Sequence, residues 1–347
     1  MKSTSETKTR LAPRIDIASY VRMTELADYI VPFTIRAVAE LGIADLLVDG
    51  PRSVEDLAAT REVDPSSLHR ALRALASKGI FTEEPAGSFA LTPLAEPLRS
   101  DHPLSLKDAY PLLAADIDAW ARFDHCVRTG ESAFDFVHGT DYWTWMADNP
   151  HDNLRFNRSQ QAATRIELRT VLPVYPWGEL STLVDVGGGN GAFLAGILSR
   201  FRSLKGTVVD LPHVVEGAPE VAESLGVTER LDTWPGSFFE TVKPGADAYL
   251  LKRVLYHWGD EEALTLLKVI RAGMRDDSRL IILEPVVLPG NDENPGKLYD
   301  LLLLTMAGGG ARTLDQIEVL LEQAGLQLAQ TYPTMMLPIV EARVADR

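Results

Sequence analysis

The sequence has a single cysteine, Cys126, among its 347 residues. One thiol can form neither an intramolecular disulfide nor a zinc site built from several thiolates, and this scarcity fits a reducing cytoplasm. No stretch approaches the ~18 consecutive apolar residues of a membrane-spanning helix. Residues 1–14 are polar with mixed charge and lack the apolar centre of a signal sequence. We therefore expect a cytoplasmic protein without a membrane span.

Basic residues are also scarce, because 34 Lys and Arg stand against 49 Asp and Glu, for a net charge of −15. A negative chain repels phosphate backbones and anionic membrane surfaces, so we expect neither nucleic acid nor membrane as a partner. The remaining composition, 46% hydrophobic and 24% charged, is that of a globular protein. Its length allows two or three packed units.

The first part of the chain is predicted to be a mostly α-helical winged-helix domain over residues 15–102, after a disordered N-terminus at residues 1–14. Ser53 is a candidate helix N-cap, and Asp64 stands before a proline at the first position of the next helix. Short apolar segments on either side of residues 83–87 predict a β-hairpin after this helix-turn-helix.

The rest of the chain divides into an aromatic-rich helical segment, residues 103–174, which is expected to form a linker and substrate lid, and a segment in which strands and helices alternate, residues 175–347. This alternation predicts an α/β fold, a Rossmann-like doubly wound parallel sheet that binds its ligand at the carboxyl ends of the strands. The predicted strands begin at Leu183, Gly206, Ala246 and Leu280.

The sharpest motif is the glycine-rich segment from Val184 to Gly191, at the end of the first predicted strand. Glycines there let the backbone approach a ligand at a helix N-terminus, but they also fit a loose dinucleotide-binding pattern. Asp185, directly before them, would repel a pyrophosphate and attract a cationic amino-acid group. Asp210 ends the next strand and can accept hydrogen bonds from ribose hydroxyls. This order of acid, glycines and acid favours S-adenosylmethionine (SAM).

With these motifs in place, the chain resembles the class I SAM-dependent O-methyltransferases of the caffeic-acid/hydroxyindole type, in particular the bacterial, anthracycline-tailoring-like branch that modifies natural products. The resemblance extends over nearly the whole chain. Its segments are residues 37–45, 70–75, 156–158, 185–191, 210–214, 236–239, 251–255 and 312–313. It implies that the N-terminal domain forms a homodimer.

The resemblance also implies a set of SAM contacts. These residues are Asp185, Gly187, Gly189, Asp210, Leu211, Ser237, Phe238 and Lys252. Ser237 departs from the family, which usually has aspartate there, and its neutral hydroxyl predicts looser cofactor binding. Lys252 is expected to close the adenine side, with a solvated surface lysine as the alternative.

The catalytic segment departs further from the family. Members that use a base carry histidine before Asp-Trp, whereas here Tyr256 occupies the histidine position and His257 the aspartate position. Of the two flanking carboxylates Glu284 is present, but the other position is Ala311. His257 is therefore a candidate base and Tyr256 a candidate substrate-orienting hydroxyl, and the remaining alternative is transfer by proximity without a base.

Five residues are implied as contacts of a flat aromatic acceptor, and packing in the hydrophobic core is the alternative for each. They are Trp143, Met146, Phe156, Asn157 and Met306. No metal is expected.

The expected function is methyl transfer from SAM to a hydroxyl of an aromatic or polyketide-like molecule, with S-adenosylhomocysteine as product. The alternatives are a SAM-retaining decarboxylase or hydroxylase and a C- or N-methyltransferase. A DNA-binding regulator is a remote alternative. Residues 1–100 carry 12 basic against 14 acidic side chains, and this balance is unfavourable for binding phosphate groups.

Overall fold

The computed structural model describes residues 16–85 and 87–345, and these form two compact units, residues 16–99 and residues 100–345. The division falls three residues before the predicted boundary. The aromatic-rich helices share the second unit with the sheet. The N-terminal segment expected to be disordered lies outside the described residues. No helix among the described residues is long and apolar enough to cross a membrane.

The first unit combines helices with a small antiparallel sheet, as predicted. Side chains cap two helices where the sequence suggested, because Ser53 accepts a hydrogen bond from the Asp56 amide and Asp64 one from the Ser67 amide. The strands pair in the order β1-β3-β2. The elements are α1 Ile17–Ala27, α2 Ile30–Glu40, β1 Arg52–Ser53, α3 Val54–Arg61, α4 Pro65–Ala76, β2 Phe81–Glu84 and β3 Ser88–Leu91.

Helix α1 differs from the other three because none of its side chains is buried. Its large apolar residues are exposed by half or more: Ile17, Tyr20, Val21, Met23 and Leu26. The core of this unit instead lies among the later elements, where Leu57, Leu72 and Phe89 have no exposed surface.

The second unit begins with five helices that carry eight of its aromatic side chains. They are α5 Ala114–Trp120, α6 Phe123–Thr129, α7 Ala133–His138, α8 Tyr142–Asp148 and α9 Pro150–Val171. Helix α9 is 22 residues long, and near its end it carries Glu167, a carboxylate with no exposed surface.

A seven-stranded sheet forms the centre of the second unit, with apolar clusters on both faces. Its strands are β4 Thr182–Val186, β5 Lys205–Asp210, β6 Leu231–Pro235, β7 Ala248–Lys252, β8 Arg279–Leu283, β9 Leu326–Tyr332 and β10 Ile339–Val344. Its helices are α10 Ala192–Arg200, α11 Pro212–Val215, α12 Ala218–Ser224, α13 Asp260–Gly273, α14 Pro295–Met306 and α15 Leu314–Gln323.

The strand order is β6-β5-β4-β7-β8-β10-β9, and β4 to β8 run parallel, which confirms the predicted Rossmann-like fold. The last pair differs from an all-parallel sheet, because β10 lies antiparallel to both β8 and β9. The order reverses between β4 and β7, and a crevice at such a reversal is the usual ligand site of open α/β sheets. The carboxyl ends of the parallel strands meet at this edge.

Candidate active site

The glycine loop follows β4 directly, and its backbone requires glycine. Gly187 has φ +71°, and a side chain there would bring its Cβ within 2.8 Å of Val254 Cγ2 and 3.5 Å of the Phe238 ring. Gly189 has φ +62° and faces open space. At Gly189 the loop therefore presents bare backbone toward open space at the carboxyl end of the sheet.

Asp185 lies on β4 just before this loop, and it is 1% exposed. Neither of its carboxylate oxygens has a hydrogen-bond partner within the protein. Burial raises the pKa of Asp185 to about 7, against the opposing influence of Lys252. A buried carboxylate without a partner is costly, so this one fits an incoming cationic group.

Asp210, at the end of β5, ties the second strand to the loop. Its Oδ2 accepts from the Gly189 amide at 2.9 Å and its Oδ1 from the Leu211 amide at 2.8 Å. Burial raises its pKa, while these two amides oppose the rise. Each oxygen keeps a further lone pair that a ribose hydroxyl can use.

Ser237 and Phe238 reach the same edge from the segment after β6. The amide of Gly236 donates to the Asp210 carbonyl at 2.9 Å, which places the two side chains beside β5. The Ser237 hydroxyl accepts from the Phe239 amide at 3.3 Å. The Phe238 ring packs next to Gly187.

Lys252, the last residue of β7, is paired inside the protein, so the alternative of a solvated lysine is wrong. Its side chain is 12% exposed, and Nζ lies 2.8 Å from Glu167 Oε2 and donates to the Thr164 hydroxyl at 3.1 Å. Burial lowers the pKa of Lys252, and the Glu167 charge opposes this.

Arg253 is a residue whose contacts the sequence did not suggest. Its Nε lies 2.6 Å from Glu167 Oε1, its Nη2 donates to the Tyr299 hydroxyl at 3.2 Å, and its side chain is 8% exposed. Its backbone has φ +57°, a region that non-glycine residues rarely adopt and that is found at functional sites. The only sign of these contacts in the sequence is that two basic residues, Lys252 and Arg253, stand next to each other at the end of a predicted strand.

The turn after β7 carries the two candidate catalytic residues on a short 3₁₀ helix, Leu255–His257. Tyr256 is 4% exposed, and its ring centroid lies 4.4 Å from that of His257. The His257 ring meets Trp143 edge to face at 5.1 Å, and its Nδ1 is buried without a partner. Burial and then the Arg253 charge lower the pKa of His257 to about 4, whereas burial raises that of Tyr256 to about 12.

Glu284 follows β8, and its side chain binds the backbone of this turn. Its Oε2 accepts from the Tyr256 amide at 3.1 Å, its Oε1 has no partner, and burial raises its pKa to about 7. Arg312, which site prediction missed, donates to the carbonyls of Leu255 at 3.2 Å and Trp258 at 2.8 Å. Arg312 therefore fixes both ends of the turn.

The five expected acceptor contacts fall into three groups. Trp143 is 40% exposed and lies between His257 and Phe156, whose ring is 5.9 Å away. Met146 and Met306 are buried together in an apolar cluster. The exposed Asn157 donates to Asn153 one turn back on α9 at 2.9 Å. The structure thus brings Trp143 to the turn that carries Tyr256, and Phe156 packs against Trp143.

Comparison with protein families gives two matches. A model described as an O-methyltransferase domain matches residues 120–327, and one described as an O-methyltransferase dimerisation domain matches residues 24–101.

Comparison with curated proteins gives relatives of full length. The mitomycin biosynthesis 6-O-methyltransferase of Streptomyces lavendulae is 35% identical over 90% of this chain and 90% of its own. The aclacinomycin 10-hydroxylase RdmB of Streptomyces purpurascens is 30% identical over 89% of this chain and 84% of its own.

Among solved structures, one similar protein is the O-methyltransferase NcsB1 of neocarzinostatin biosynthesis. It superposes with a TM-score of 0.78 at 28% identity, over 96% of this chain and 100% of that one. NcsB1 was solved in complex with SAM and 2-hydroxy-5-methyl naphthoic acid.

Proposed function

The chain belongs to the SAM-dependent O-methyltransferase family, and from this premise we propose that it transfers the SAM methyl group to a hydroxyl of an aromatic or polyketide-like molecule in secondary metabolism. The role of one relative in mitomycin biosynthesis and the naphthoic acid bound in the NcsB1 structure support this acceptor class. The single observation that carries the proposal is the buried Asp185 carboxylate, which has no partner within the protein.

The residues at the sheet edge fit SAM. Asp185 pairs with its amino group, Asp210 accepts from its ribose, and the bare backbone from Gly187 to Gly189 lets its methionyl part approach. Phe238 covers the adenine, with Ser237 beside it. Glu167 and Thr164 bind the Lys252 side chain and fix its position beside the proposed SAM site. When bound, SAM supplies an electrophilic methyl carbon on a sulfonium, and the electron pair of the broken C–S bond stays on sulfur.

On the acceptor side, we assign the residues of the 3₁₀ helix to positioning rather than to taking a proton. A group with a pKa of about 4, as His257 has, is a weak base toward a phenol, whose pKa is near ~10. A positioned base contributes ~10²–10⁴-fold, or about 3–5 kcal/mol, whereas proximity and orientation contribute ~7–11 kcal/mol. Trp143 and Phe156 hold the acceptor ring, and the clamp from Glu284 and Arg312 keeps the turn in place. Met146, Met306 and Asn157 shape the surrounding walls.

The N-terminal unit is proposed to form a homodimer through the exposed apolar side chains of α1. The match of residues 24–101 to a dimerisation domain supports dimerisation of this unit. A cytoplasmic site of action is proposed from the scarcity of cysteine, because Cys126 is a free, buried thiol that needs no oxidising compartment.

The test is mass spectrometry of the purified protein with SAM and a panel of hydroxylated naphthalenes, polycyclic quinones and simple phenols, some with a free carboxylate. We expect equal amounts of S-adenosylhomocysteine and of an acceptor that has gained one methyl group. Asp185→Asn is the matched control, because it keeps the side-chain shape but removes the charge that would hold SAM.

A second candidate function is tailoring in which SAM is retained, because the base assembly is incomplete and the relative RdmB is a hydroxylase. Loss of the acceptor without S-adenosylhomocysteine would favour this function and contradict methyl transfer. Methyl gain on carbon or nitrogen would keep the enzyme class and correct the acceptor atom.

A further inference from the structure

Three consecutive glycines follow helix α14 and lie against the turn that carries Tyr256 and His257. They are Gly308, Gly309 and Gly310. The Gly310 amide donates to the Tyr256 carbonyl at 3.0 Å. A side chain at Gly309 would collide with that carbonyl oxygen and would bring its Cβ within 3.0 Å of His257 Cα. The glycines therefore contact the backbone of the turn so closely that no side chain fits at Gly309.

A run of glycines has no side chains to hold it, and glycine has more backbone freedom to lose than any other residue. Its conformation must therefore be imposed by its neighbours. Beyond the glycines, the Arg312 carbonyl accepts from the Val287 amide at 2.9 Å. Next to the glycines, the Ala311 amide donates to Asp300 Oδ1 at 3.0 Å. The same oxygen would lie 3.3 Å from a Cβ at Gly310, so the Asp300 carboxylate contacts the glycine run itself.

Helix α14, which carries Asp300, is itself anchored along its length. The hydroxyl of the neighbouring Tyr299 accepts from Arg253 Nη2 at 3.2 Å. At the end of the helix, the Ser132 hydroxyl lies 3.3 Å from the Thr305 carbonyl oxygen. Because the helix is fixed on both sides of Asp300, the carboxylate is a firm attachment point for the segment that follows.

The segment that Asp300 fixes, residues 308–312, binds the turn through several donors. Besides the Gly310 amide, the Arg312 guanidinium donates to the carbonyls of Leu255 at 3.2 Å and Trp258 at 2.8 Å. A shift of this segment would therefore move the backbone of the whole turn.

The position of the turn matters for the acceptor side of the proposed function. The turn holds the His257 ring edge to face against Trp143, with the ring centroids 5.1 Å apart. Trp143 is the side chain proposed to hold the acceptor ring. Alignment of the acceptor is a large part of the rate, because a misplacement of about 1 Å can cost ~100-fold.

We infer, on the basis of the proposed function, that Asp300 is a positioning residue for methyl transfer, which fixes residues 308–312 against the turn and so keeps the acceptor aligned with the methyl group. Asp300 acts on the Ala311 amide and through it on the backbone of the turn. This role needs an oxygen that accepts a hydrogen bond. It needs neither a negative charge nor the transfer of a proton.

The first test measures kcat and KM with an acceptor identified by the mass-spectrometric panel. Asp300→Ala should lower kcat by ~10- to 100-fold through lost alignment. The KM for the acceptor and the affinity for SAM should not change, since the lost interaction acts in the transition state. Asp300→Asn should restore most of the loss, because its amide oxygen can accept from the Ala311 amide. Wild-type kcat in Asp300→Ala would overturn the inference. So would an Asp300→Asn variant as slow as Asp300→Ala, because the charge and not the hydrogen bond would then matter.

Asn294→Ala is the matched control, because the Asn294 side-chain oxygen also accepts from a loop amide, that of Leu288 at 3.3 Å, but at the other end of α14. It should keep the wild-type kcat. A loss as large as that of Asp300→Ala would mean that α14 as a whole, and not Asp300, sets the rate. Thermal unfolding of each variant separates loss of folded protein from loss of alignment. Asp300→Leu keeps the volume without an oxygen and repeats the comparison if Asp300→Ala does not fold.

The second test needs no catalysis. In protein with isotope-labelled histidine, the ring resonances of His257, identified by their loss in His257→Gln, report on its position against the rings of Trp143 and Tyr256. We expect these resonances to shift in Asp300→Ala and to stay in place in Asp300→Asn and Asn294→Ala. Unchanged resonances in Asp300→Ala would overturn the inference.

The two tests also separate this inference from the proposed function. If the resonances shift as expected but the wild type transfers no methyl group, the proposed function fails and the contact of Asp300 with the turn stands. If the wild type transfers methyl groups and Asp300→Ala changes neither kcat nor the resonances, only the role of Asp300 fails.

Discussion

Two neighbouring regions at the carboxyl edge of the sheet each hold a fully buried carboxylate, Asp185 in one and Glu167 in the other, and the two differ in whether the protein itself supplies a partner. In the cofactor half, the segments after β4 and β5, Asp185 is 1% exposed and neither of its oxygens has a partner. In the acceptor half, the segments at the ends of β7 and β8 together with the end of α9 that packs against them, the equally buried Glu167 of α9 is bound by both Lys252 and Arg253. An unpaired buried charge indicates a ligand that must supply the partner, whereas a paired one indicates a device that positions other side chains.

The two halves also differ in how closely their residues match the sequence motifs of the family. The cofactor half has the glycines and carboxylates that the pattern requires, apart from Ser237. The acceptor half lacks the family's histidine, whose position Tyr256 occupies, and one of the two carboxylates, whose position Ala311 occupies. It also contains the buried Arg253. This contrast teaches that the residues proposed to hold the methyl donor follow the family pattern more closely than the residues proposed to face the acceptor.

The largest effect is expected from breaking the paired half. Glu167→Gln leaves Lys252 and Arg253 buried without a counter-charge, which should lower the free energy of unfolding by about 3–5 kcal/mol in urea denaturation. The pair of Glu179 with Arg279 provides the control, because the Glu179 side chain is 59% exposed and Glu179→Gln should cost under ~1 kcal/mol. The Lys252 and Arg253 charges lower the pKa of Glu167 against burial, so the difference from wild type should shrink as the pH falls through that pKa. Equal losses for the two variants would show that the buried ion pairs are not what holds this half.

A second change tests the unpaired half. Asp185→Asn should weaken SAM binding by roughly 1.5–3 kcal/mol in calorimetry, through loss of a charged hydrogen bond. Without SAM the same variant should be more stable than wild type above pH 7, because burial raises the Asp185 pKa to about 7 and ionisation then opposes folding. Wild-type stability should therefore fall as pH rises from ~4 to ~7, and the decline should be reduced in the variant.

The matched control for this change is Asp247→Asn, at the opposite edge of the sheet. Asp247 accepts from the Ser181 and Thr182 amides and contacts Arg275, and these interactions lower its pKa against burial. Its replacement should destabilise the protein without weakening SAM binding. If Asp185→Asn and Asp247→Asn lowered the free energy of unfolding by the same amount, Asp185 would be a structural residue with a partner inside the protein.

The smallest effect is expected at His257. Because its pKa is about 4, His257→Ala should lower kcat by less than ~10-fold between pH 7 and 9, below the ~10²–10⁴-fold contribution of a positioned base. SAM affinity should not change. A loss of a hundredfold or more, with the rate of wild type following one fixed ionisation, would restore His257 as the base.

Local patterns were sufficient for much of the fold. The caps at Ser53 and Asp64, the four parallel strands that begin near Leu183, Gly206, Ala246 and Leu280, and the glycine loop are all determined by residues close together in the chain. The antiparallel end of the sheet was not predicted, because the pairing of β10 with β8 joins segments about sixty residues apart and has no local signal.

The side-chain contacts inside the site could not be predicted from local patterns, because they join residues that are far apart in the sequence. Glu167 stands in an otherwise polar helix, and only tertiary packing places it against Arg253, 86 positions later. His257 looked like a candidate base because of its place at a strand end. Its burial against Trp143, which lowers its basicity, is a property of the folded chain alone.

Helix α1 has a consequence for how the chain reaches its native state. Because none of its side chains is buried within the chain, the free energy of covering Ile17, Tyr20 and Leu26 is gained only when the proposed second copy arrives. Part of the stability is then a bimolecular quantity, so the melting temperature should rise with the logarithm of protein concentration. Dilution, rather than heat or denaturant, would be the mildest way to unfold this helix.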